Sequence, residues 1–304
     1  MWGVIINPQS GKKALRAQRK YLFKKLRENA IPFVYEVTAY AGHAIEIAHR
    51  LVDKGIRNLL ILGGDGTVSE VINGIFSCSV DTSEIRIAIV PRGTGNDWAR
   101  YWGLNRKYKE AIDVFLHGKE QMIDIGKVSY TRNDVVHARY FINSVGFGLD
   151  CRVVQLAHIL KYYLGSHALL YFFALLKSVF TYKPQRIKVV ASDITYAGKI
   201  LTMNIGNGCF SGGGIRQNPD ANPTDGVFHA MFVKKVTLRD IIQAIPRLFD
   251  GRLADLPFMQ NLSGKEFHLG TIRYLPFEAD GIIIDACGPY DVSICPNALR
   301  MIIP

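Results

Sequence analysis

A continuous run of apolar residues, Leu59–Leu62, leads directly into the glycine-rich segment Gly63–Thr67. An apolar run without polar alternation is typical of a strand that is buried on both faces, as in a parallel sheet. Alternation of apolar and polar residues begins at Val68 and predicts a helix directly after the loop. Backbone N–H groups and the helix dipole both favour phosphate at such a turn. This segment therefore predicts an anion-binding loop at the end of a buried strand.

The surrounding sequence repeats the alternation of strand and helix. The predicted strands are Trp2–Ile6, Phe33–Val37 and Ile85–Val90, and a helix is predicted at about His43–Lys54. An apolar stripe predicts a further helix after the first strand, and its members are Leu15, Leu22, Phe23 and Leu26. Strands and helices that alternate at this spacing indicate a parallel α/β sheet.

Polar loops follow the predicted strands, at Asn7–Gly11, Thr38, Gly63–Thr67 and Pro91–Asp97. Ligands of open α/β sheets bind in the crevice outside the C-terminal ends of the strands, so we expect these loops to converge there. One glycine-rich loop would be weak evidence, whereas a polar loop after each successive strand is much stronger. Asp65 is an unusual residue for an anion site, and it indicates a bound cation or a proton transfer.

The pattern changes near Asp124, where segments with a period of two begin. The predicted strands are Gly126–Tyr130, Ala138–Asn143, Arg186–Ala191, Lys199–Ile205, Val227–Val233, Glu266–Leu275 and Ile282–Asp285. Alternation with turn residues between the segments predicts an antiparallel β-sandwich. Helices are predicted at Leu149–Lys161 and His167–Thr181. The second helix is mostly apolar but too short to span a bilayer, so we interpret it as a core or cleft-lining helix, with an acyl-chain wall as the alternative.

Composition and net charge limit the classes of partner that the protein is expected to bind. A chain of 304 residues with 48% hydrophobic and 21% charged residues should hold about two globular domains. The net charge of +11 favours acidic partners, which include nucleotides, nucleic acids and anionic membranes. No known nucleic-acid motif or aromatic-rich basic platform is present, so a nucleic-acid partner is least favoured. The basic residues between Lys12 and Arg27 form either a solvated helix face or a surface attracted to anionic lipid headgroups.

The cysteines are odd in number and form no CxxC pair. This usage favours reduced thiols in a cytosolic protein and argues against a zinc site. The apolar part of the N-terminus is too short for a signal peptide. No run of about 18 apolar residues exists, so we expect no transmembrane helix.

Several motifs together resemble the diacylglycerol kinase-like lipid kinases, which include bacterial lipid kinases, sphingosine kinases and ceramide kinases. The motifs are NPQSG, GGDGT followed by Glu70, GTGND, NSVGFGLD, IGNG, Asp225-Gly226 and NALRMIIP. GGDGT alone is shared with NAD kinases, whereas its combination with GTGND and the later motifs is specific to the lipid kinases. The resemblance implies an α/β ATP-binding domain at residues 1–124 and about 290–304, and a β-sandwich lipid-substrate domain at residues 125–289.

The resemblance further implies an ATP- and Mg²⁺-dependent kinase that phosphorylates a hydroxyl of a membrane lipid, with a diacylglycerol-like acceptor favoured. The implied ATP-binding residues are Asn7, Ser10, Gly11, Lys12, Thr38, Gly63, Gly64, Asp65, Gly66, Thr67, Val68, Ser69, Glu70, Thr94, Asn96 and Asp97. Their hydroxyls, amides and backbone N–H groups suit phosphate oxygens. Arg92 is a further charge partner, and Glu70 could instead only complement the dipole of its own helix. Asp65 and Asp97 are expected to hold a magnesium–water network, with Asp124 behind them.

A structural magnesium site is implied at Asn222, Asp225 and Val227, where Asp225 offers its carboxylate and the others backbone carbonyls. A simple turn before a strand is the alternative reading of Asp225. The catalytic residues implied by the resemblance are Asp280, which orients the acceptor hydroxyl, and Asp65.

The sequence departs from the family pattern at one position. The usual Asp-Gly-Glu reads Asp280-Gly281-Ile282, so the glutamate is replaced by isoleucine, and Glu278 or Asp285 could compensate. The replacement supports an alternative class, a catalytically weak nucleotide- or lipid-binding regulator. An NAD kinase is a further alternative, disfavoured by NPQSG and GTGND. We expect a cytoplasmic protein, peripheral at the inner membrane surface, and the sequence leaves open whether it forms a homodimer.

Overall fold

The computed structural model describes residues 1–11, 15–104, 107–164, 168–192, 194–271 and 274–304. The chain divides into two compact units. The first unit consists of residues 1–123 and 297–304, and the second of residues 124–296. The last residues of the chain therefore belong to the same unit as the first.

The first unit is a parallel sheet with helices. Its strands are β1 (Trp2–Ile6), β2 (Phe33–Val37), β3 (Asn58–Gly63) and β4 (Arg86–Pro91), and its helices are α1 (Leu15–Glu28), α2 (His43–Asp53), α3 (Asp65–Ile75), α4 (Asp97–Tyr101) and α5 (Tyr108–His117). The strand order is β2-β1-β3-β4, and Arg300 and Met301 add a further parallel strand beside β4. The predicted parallel α/β fold is confirmed.

Strand β3 is buried on both faces because helices cover each side of the sheet. All residues of Leu59–Leu62 are fully buried. Leu60 and Leu62 share a core with Leu22 of α1 and Phe115 of α5. Leu59 points to the opposite face, where α2 contacts β1 and α3 contacts β3. The uninterrupted apolar run Leu59–Leu62 therefore indicates a central strand of the sheet.

The second unit is rich in strands. They are β5 (Lys119–Arg132, which begins in the first unit), β6 (Val135–Phe141), β7 (Ser144–Gly148), β8 (Gln185–Ala191), β9 (Ile194–Ile200), β10 (Thr202–Gly206), β11 (Phe210–Ser211), β12 (Ile215–Arg216), β13 (Phe228–Val233), β14 (Met259–Gly264), β15 (Glu266–Thr271), β16 (Phe277–Ala279), β17 (Ile282–Ile284) and β18 (Cys287–Ile303, which ends in the first unit). Its helices are α6 (Leu149–Leu164), α7 (Ala168–Thr181) and α8 (Leu238–Ala244).

Two antiparallel sheets of the second unit share one core. The first has the order β14-β13-β10-β7-β16-β17, and in the second β18, β15, β8 and β9 follow one another. Phe147, Phe228 and Phe277 of the first sheet pack in the same cluster as Val189 and Phe267 of the second. The predicted β-sandwich is confirmed.

Several elements differ from the prediction. Lys199–Ile205 is not one strand, because β9 ends at Ile200 and β10 begins at Thr202. The consecutive apolar residues Ile200 and Leu201 interrupt the alternation at this break, and the prediction overlooked this signal. Strand β7 was not predicted, although Val145 and Phe147 alternate with smaller residues, because two of its five residues are glycine, which is uncommon in strands. Helix α8 was also missed, although Thr237 and Asp240 form a capping box that marks its start.

The apolar segment predicted at His167–Thr181 forms α7, and His167 itself lies outside the described residues. Ala174 of α7 is fully buried, and Tyr171 and Leu175 pack in the same clusters as Leu201 and Met231 of the sandwich. Among the described residues, no helix is both long and apolar enough to cross a membrane.

Candidate functional site

The glycine-rich segment Gly63–Thr67 joins β3 to α3. Helix α3 begins at Asp65, and its N-cap residue, Gly64, provides no side-chain hydrogen bond to the first turn. The first N–H groups of a helix have no partner within the helix, and the helix dipole adds partial positive charge there. The N-terminus of α3 is therefore suited to an anion such as phosphate.

The segment Gly63–Thr67 lies directly against the loop Pro91–Asp97. A Cβ atom on Gly64 would lie 2.7 Å from Gly93 Cα, so a side chain at this position would push the two loops apart. Asn96 adopts a left-handed conformation with φ of 49°. Its Oδ1 accepts a hydrogen bond from Gly93 N at 2.7 Å, and its Nδ2 donates to Gly93 O at 2.9 Å. Asn96 therefore shapes the loop that Gly64 contacts.

The first polar loop is tied to the same region. Asn7 Nδ2 donates to Thr67 Oγ1 at 2.8 Å, and Ser10 Oγ donates to Asn7 O at 2.8 Å. Arg92 Nε donates to Ser10 O at 3.1 Å, and burial lowers the pKa of Arg92. Gly11 has φ of +75°, and a Cβ there would lie 2.9 Å from Arg92 O. Three predicted loops of the first unit therefore meet through specific contacts.

Glu70 serves a neighbouring helix. Its carboxylate accepts hydrogen bonds from Gly42 N at 2.9 Å and from Ala44 N at 3.2 Å, and so caps the N-terminus of α2. Thr38, at the end of β2, is buried and donates its N–H to Ile6 O. Both oxygens of Glu70 are thus engaged by the protein's own backbone, and we describe it as a positioning residue.

Two carboxylates lie where the loops meet the helices. Asp65 Oδ1 accepts from Trp98 N at 3.3 Å. Asp97 begins α4, is largely buried and lies 3.9 Å from Arg100 Nε. Of the other predicted residues, Gly66, Val68 and Ser69 lie in the first turns of α3, and Thr94 lies in the loop between β4 and α4. Lys12 lies outside the described residues.

Asp280 anchors the backbone of the second unit. Its Oδ1 accepts from Asn143 N at 2.9 Å and Ser144 N at 3.2 Å, and its Oδ2 accepts from Ile142 N at 3.0 Å. The residue has φ of 51° and is 9% exposed. Both carboxylate oxygens therefore hold the chain just before β7, which the sequence could not reveal.

Glu278 and Asp150 share the space above Gly146. The register of β16 and β7 places Glu278 opposite Gly146. A Cβ on Gly146 would lie 2.6 Å from Glu278 Oε1 and 3.0 Å from Asp150 Oδ2, so the carboxyl groups lie together where a side chain is missing. Glu278 Oε2 accepts from Gly281 N at 2.8 Å, and none of the described residues hydrogen-bonds Oε1.

This environment changes the protonation of both acids. Burial, and then the charges of Asp150 and Asp280, raise the pKa of Glu278 to about 8 against the hydrogen bond from Gly281. Burial also raises the pKa of Asp150, although three side chains donate hydrogen bonds to it, namely Thr202, Asn204 and Gln217. Interacting acids of this kind titrate as a pair, and near neutral pH the pair retains a proton.

Asp150 also faces an apolar cavity of the second unit. Helices α6, α7 and α8 surround this cavity, and Val153, Leu175 and Ile241 contribute to its lining. Gln217 Nε2 donates to Asp150 Oδ2 at 3.0 Å, so the apolar space has one polar end. A ligand with an apolar chain and a polar head fits such a cavity. Asp150 is not among the site residues predicted from the sequence, although it is the last residue of the motif NSVGFGLD.

The loop that was predicted to bind a structural magnesium ion forms a compact turn. Asn222 Oδ1 accepts from Thr224 N and Oγ1 at 3.2 and 2.8 Å, and Asp225 Oδ1 accepts from Val227 N at 3.0 Å. Asp225 Oδ2 lies 4.0 Å from His229 Nε2. The oxygen-rich loop is chemically suited to a hard cation, and it also satisfies the turn interpretation.

Asp124 is hydrogen-bonded to this loop. Its Oδ2 accepts from Gly226 N at 2.7 Å, its backbone N donates to Pro223 O, and its backbone O accepts from Asn207 Nδ2. The residue is fully buried in these contacts. Asp124 therefore supports the turn at Asn222–Val227.

Comparison with known proteins gives the class of this fold and site. A family model described as the diacylglycerol kinase catalytic domain matches residues 1–128, and one described as the YegS C-terminal NAD kinase beta sandwich-like domain matches residues 143–303. The protein is thus a phosphotransferase of the kind that uses an alcohol group as acceptor. It belongs to the diacylglycerol kinase-like lipid kinase family, which confirms the resemblance seen in the sequence.

Individual relatives agree over nearly the whole chain. A diacylglycerol kinase of Mycobacterium tuberculosis (strain ATCC 25618 / H37Rv) is 26% identical over 308 residues, which cover 99% of this chain and 94% of that protein. A diacylglycerol kinase of Staphylococcus carnosus (strain TM300) is 25% identical over 279 residues, covering 91% and 87% of the two chains.

Solved structures show the same fold. The crystal structure of a diacylglycerol kinase from Bacillus anthracis str. Sterne has a TM-score of 0.75 at 20% identity and covers 100% of this chain and 96% of its own. Yeast NADH kinase complexed with NADH has a TM-score of 0.56 at 10% identity, covering 100% and 83%. The NAD kinase alternative therefore has support from the fold alone.

The raised pKa of Glu278 predicts a specific dependence of stability on pH. The folded protein keeps this proton up to about pH 8, whereas the unfolded chain releases it near the ordinary value of 4.5. The stability that Glu278 contributes is therefore present below about pH 4.5 and is lost as the pH rises through about 8. Glu278→Gln, which cannot ionise, should gain melting temperature relative to wild type between about pH 5 and pH 9.

Thermal melts of both proteins across this range measure the difference. The matched control is Glu266→Gln, since the Glu266 side chain is 68% exposed. A difference between Glu278→Gln and wild type that stays constant with pH would contradict the raised pKa.

Proposed function

We propose that the protein is an ATP- and Mg²⁺-dependent kinase that transfers the γ-phosphate to a hydroxyl of a diacylglycerol-like membrane lipid. The observation that carries the proposal is the N-terminus of α3, which has no side-chain cap and lies against the second glycine-rich loop through Gly64 and Gly93. Family membership supports the reaction class, and the identity of nucleotide, metal and acceptor forms the proposal.

The first unit supplies positioning and charge neutralisation, which phosphoryl transfer chiefly requires. Backbone N–H groups at the start of α3, with the hydroxyls of Thr67 and Thr94, bind phosphate oxygens. The carboxylates of Asp65 and Asp97 are oxygen ligands suited to Mg²⁺. The bound ion would offset negative charge on the phosphates. Lys12 remains a proposed partner of the nucleotide on the resemblance alone.

The second unit supplies the proton acceptor for the attacking hydroxyl. We assign this role to Glu278, because Oε1 has no described hydrogen-bond partner and a pKa near 8 suits proton transfer at neutral pH. The ionised form of Glu278, a minor fraction at neutral pH, accepts the hydroxyl proton at Oε1 as the hydroxyl oxygen bonds to the γ-phosphorus and the bond from that phosphorus to the bridging oxygen of ADP breaks. Glu278 would thus supply the base in place of the usual glutamate, which is Ile282 here, and Asp280 holds the backbone before β7 in place.

The apolar cavity and its surroundings favour a lipid acceptor. Several exposed side chains on or after the cavity-lining helices are large and apolar, namely Ile159, Tyr162, Tyr163, Phe173, Phe180, Leu238, Ile242 and Phe249. Exposed apolar groups of this kind mark contact with a membrane or another partner. Basic residues on α1, such as Lys20 and Arg27, favour an anionic surface. We therefore propose a cytoplasmic protein that binds peripherally to the inner membrane surface.

A transfer assay with radiolabelled ATP tests the proposal. Diacylglycerol, phosphatidylglycerol, sphingosine and ceramide serve as acceptors, and we expect the strongest labelling with diacylglycerol. ATP binding without labelling of any lipid would favour the regulator alternative. Labelling of NAD would favour the NAD kinase alternative.

Asp65→Asn should abolish transfer and leave the fold intact. The amide keeps the shape of the side chain but loses the charge that holds the metal–water network, so we expect turnover to fall by on the order of 100-fold or more. Thermal melting establishes that the variant is folded. Asp113→Asn is the control, because the Asp113 side chain is 74% exposed on α5. Near-normal turnover of Asp65→Asn would remove this residue from the mechanism.

Glu278→Gln should lower kcat for the lipid by about 100-fold while the KM for ATP stays unchanged, because only the proton acceptor is lost. Initial rates at varied ATP and lipid concentrations separate the two parameters. The exposed Glu266→Gln again serves as the control. Wild-type kcat in Glu278→Gln would rule out the proton transfer, even where Asp65→Asn behaves as expected.

Exposed apolar residues on the cavity helices should contribute to membrane binding. The double variant Phe173→Gln/Ile242→Gln should bind anionic lipid vesicles at least about 10-fold more weakly, because two apolar side chains leave the interface. Co-sedimentation with vesicles of phosphatidylglycerol measures the change. Val136→Gln is the matched control, since Val136 is exposed on β6, away from the cavity lining. Equal binding by the double variant and wild type would exclude this surface.

A further inference from the structure

A cluster outside the candidate site joins the ends of α2 and α3. His49 and Asp53 lie one helical turn apart on α2, and Cys78 follows the end of α3. They offer an imidazole nitrogen, a carboxylate oxygen and a thiol sulfur, and these atoms all lie within 4.8 Å of one another. The three side chains thus bring three kinds of metal-binding atom together.

The distances are close to those of a tetrahedral metal site. His49 Nε2 lies 3.1 Å from Asp53 Oδ2, and the other ring nitrogen, Nδ1, lies 3.4 Å from Cys78 Sγ and 2.8 Å from Ser77 Oγ. Because one imidazole offers one nitrogen to an ion, the separation that matters is that of the three ligand atoms, which lie within 4.8 Å of one another. Zinc bonds of about 2.0–2.3 Å place the ligand atoms of a tetrahedron roughly 3.3–3.8 Å apart. The ligand atoms therefore need to approach one another by about 1 Å to form a tetrahedral site. The side chains of His49 and Asp53 are 43% and 55% exposed, so they are free to rotate by this amount.

The backbone beneath the cluster is held firmly. A Cβ on Gly74 would lie 2.4 Å from Ile45 O, so glycine at this position allows α2 and α3 to pack closely. Cys78 Sγ lies 3.4 Å from Gly74 O and 3.6 Å from His49 O, which fixes the sulfur between the two helices. Side-chain rotation alone can therefore complete the site.

The local electrostatics favour a cation. Helix α2 ends at Asp53 and α3 ends at Ile75, so the C-terminal ends of both helices lie beside the cluster. Helix C-termini carry partial negative charge. The positive charge of Arg57 is engaged elsewhere, because its guanidinium donates to Val52 O at 2.8 Å and lies 3.9 Å from Glu84 Oε2.

We propose that His49, Asp53 and Cys78 bind a thiophilic divalent cation of the Zn²⁺ class, with water as the fourth ligand. A sulfur, nitrogen and oxygen ligand set suits Zn²⁺ and disfavours Mg²⁺, which prefers oxygen ligands. Coordination replaces the proton of the Cys78 thiol, which passes to solvent. The bound ion would link α2 to α3 at the ends remote from the loop Gly63–Thr67.

A zinc site at this position departs from the expectation, drawn from the cysteine pattern, that the protein has none. That argument relied on the lack of a CxxC pair, whereas these ligands come from two helices and are far apart in sequence. Only the i, i+4 spacing of His49 and Asp53 was visible, and such pairs are common on solvated helix faces.

Metal titration of the full-length protein tests the site. Metal-free protein should bind one Zn²⁺ in competition with a chromophoric chelator, and Co²⁺ should give a thiolate-to-cobalt charge-transfer band. Cys78→Ser should abolish the band, and Cys78→Ser and His49→Gln should each weaken Zn²⁺ binding by at least about 100-fold. Zn²⁺ should also raise the melting temperature of wild type and leave that of Cys78→Ser unchanged.

The chain offers matched controls. His117 and Asp113 form the same i, i+4 pair, with Nδ1 3.1 Å from Oδ1, and no third metal-binding side chain joins them among the described residues. His117→Gln should therefore bind Zn²⁺ as wild type does, and so should Cys287→Ser, which alters an exposed cysteine of the second unit. Failure of wild type to bind Zn²⁺, or a Co²⁺ band that persists in Cys78→Ser, would overturn the proposal.

Discussion

The close backbone approach between Gly64 and Gly93 in the first unit is the constraint on which the candidate nucleotide site depends. Neither residue has a side chain, so the loops after β3 and β4 come together main chain to main chain. This contact brings the start of α3 and the start of α4, with Asp65 and Asp97, into one small region. Asn96 maintains the contact through its two hydrogen bonds to Gly93. The segment Gly63–Thr67 and the loop Pro91–Asp97 therefore form the candidate nucleotide site only together.

In the second unit, the lack of a side chain at one glycine makes room for two buried acids. Gly146 leaves a space that Glu278 and Asp150 fill, and the burial that results is what raises the pKa of both acids. In contrast, both carboxylate oxygens of Asp280 accept hydrogen bonds from backbone N–H groups. Glu278 and Asp280 lie two residues apart but differ in their surroundings. The pKa of Glu278 is raised, whereas Asp280 holds the backbone before β7. The spacing of Glu278 and Asp280 in the sequence does not reveal this difference.

The periodicity of the sequence predicted the architecture because burial follows directly from the alternation of residues. Leu59–Leu62 gave a central strand, and the period of two after Asp124 gave a sandwich. Positions that depend on pairing with distant residues were not predictable. The two glycines of β7 obscure its short alternation, and the partner of Glu70 is the N-terminus of α2, far away in the sequence. The family motifs supplied candidate site residues, whereas the contacts among them came only from the fold.

The cap that Glu70 places on α2 has a consequence for where an anion can bind. Two helix N-termini of the first unit, those of α2 and α3, follow the consecutive strands β2 and β3, and both carry partial positive charge. The carboxylate of Glu70 occupies the first of these sites through its two hydrogen bonds to the backbone of α2. A phosphate group therefore meets competition at α2 and none from a capping side chain at α3. Glu70 would in this way favour binding of the proposed phosphate at α3 over α2.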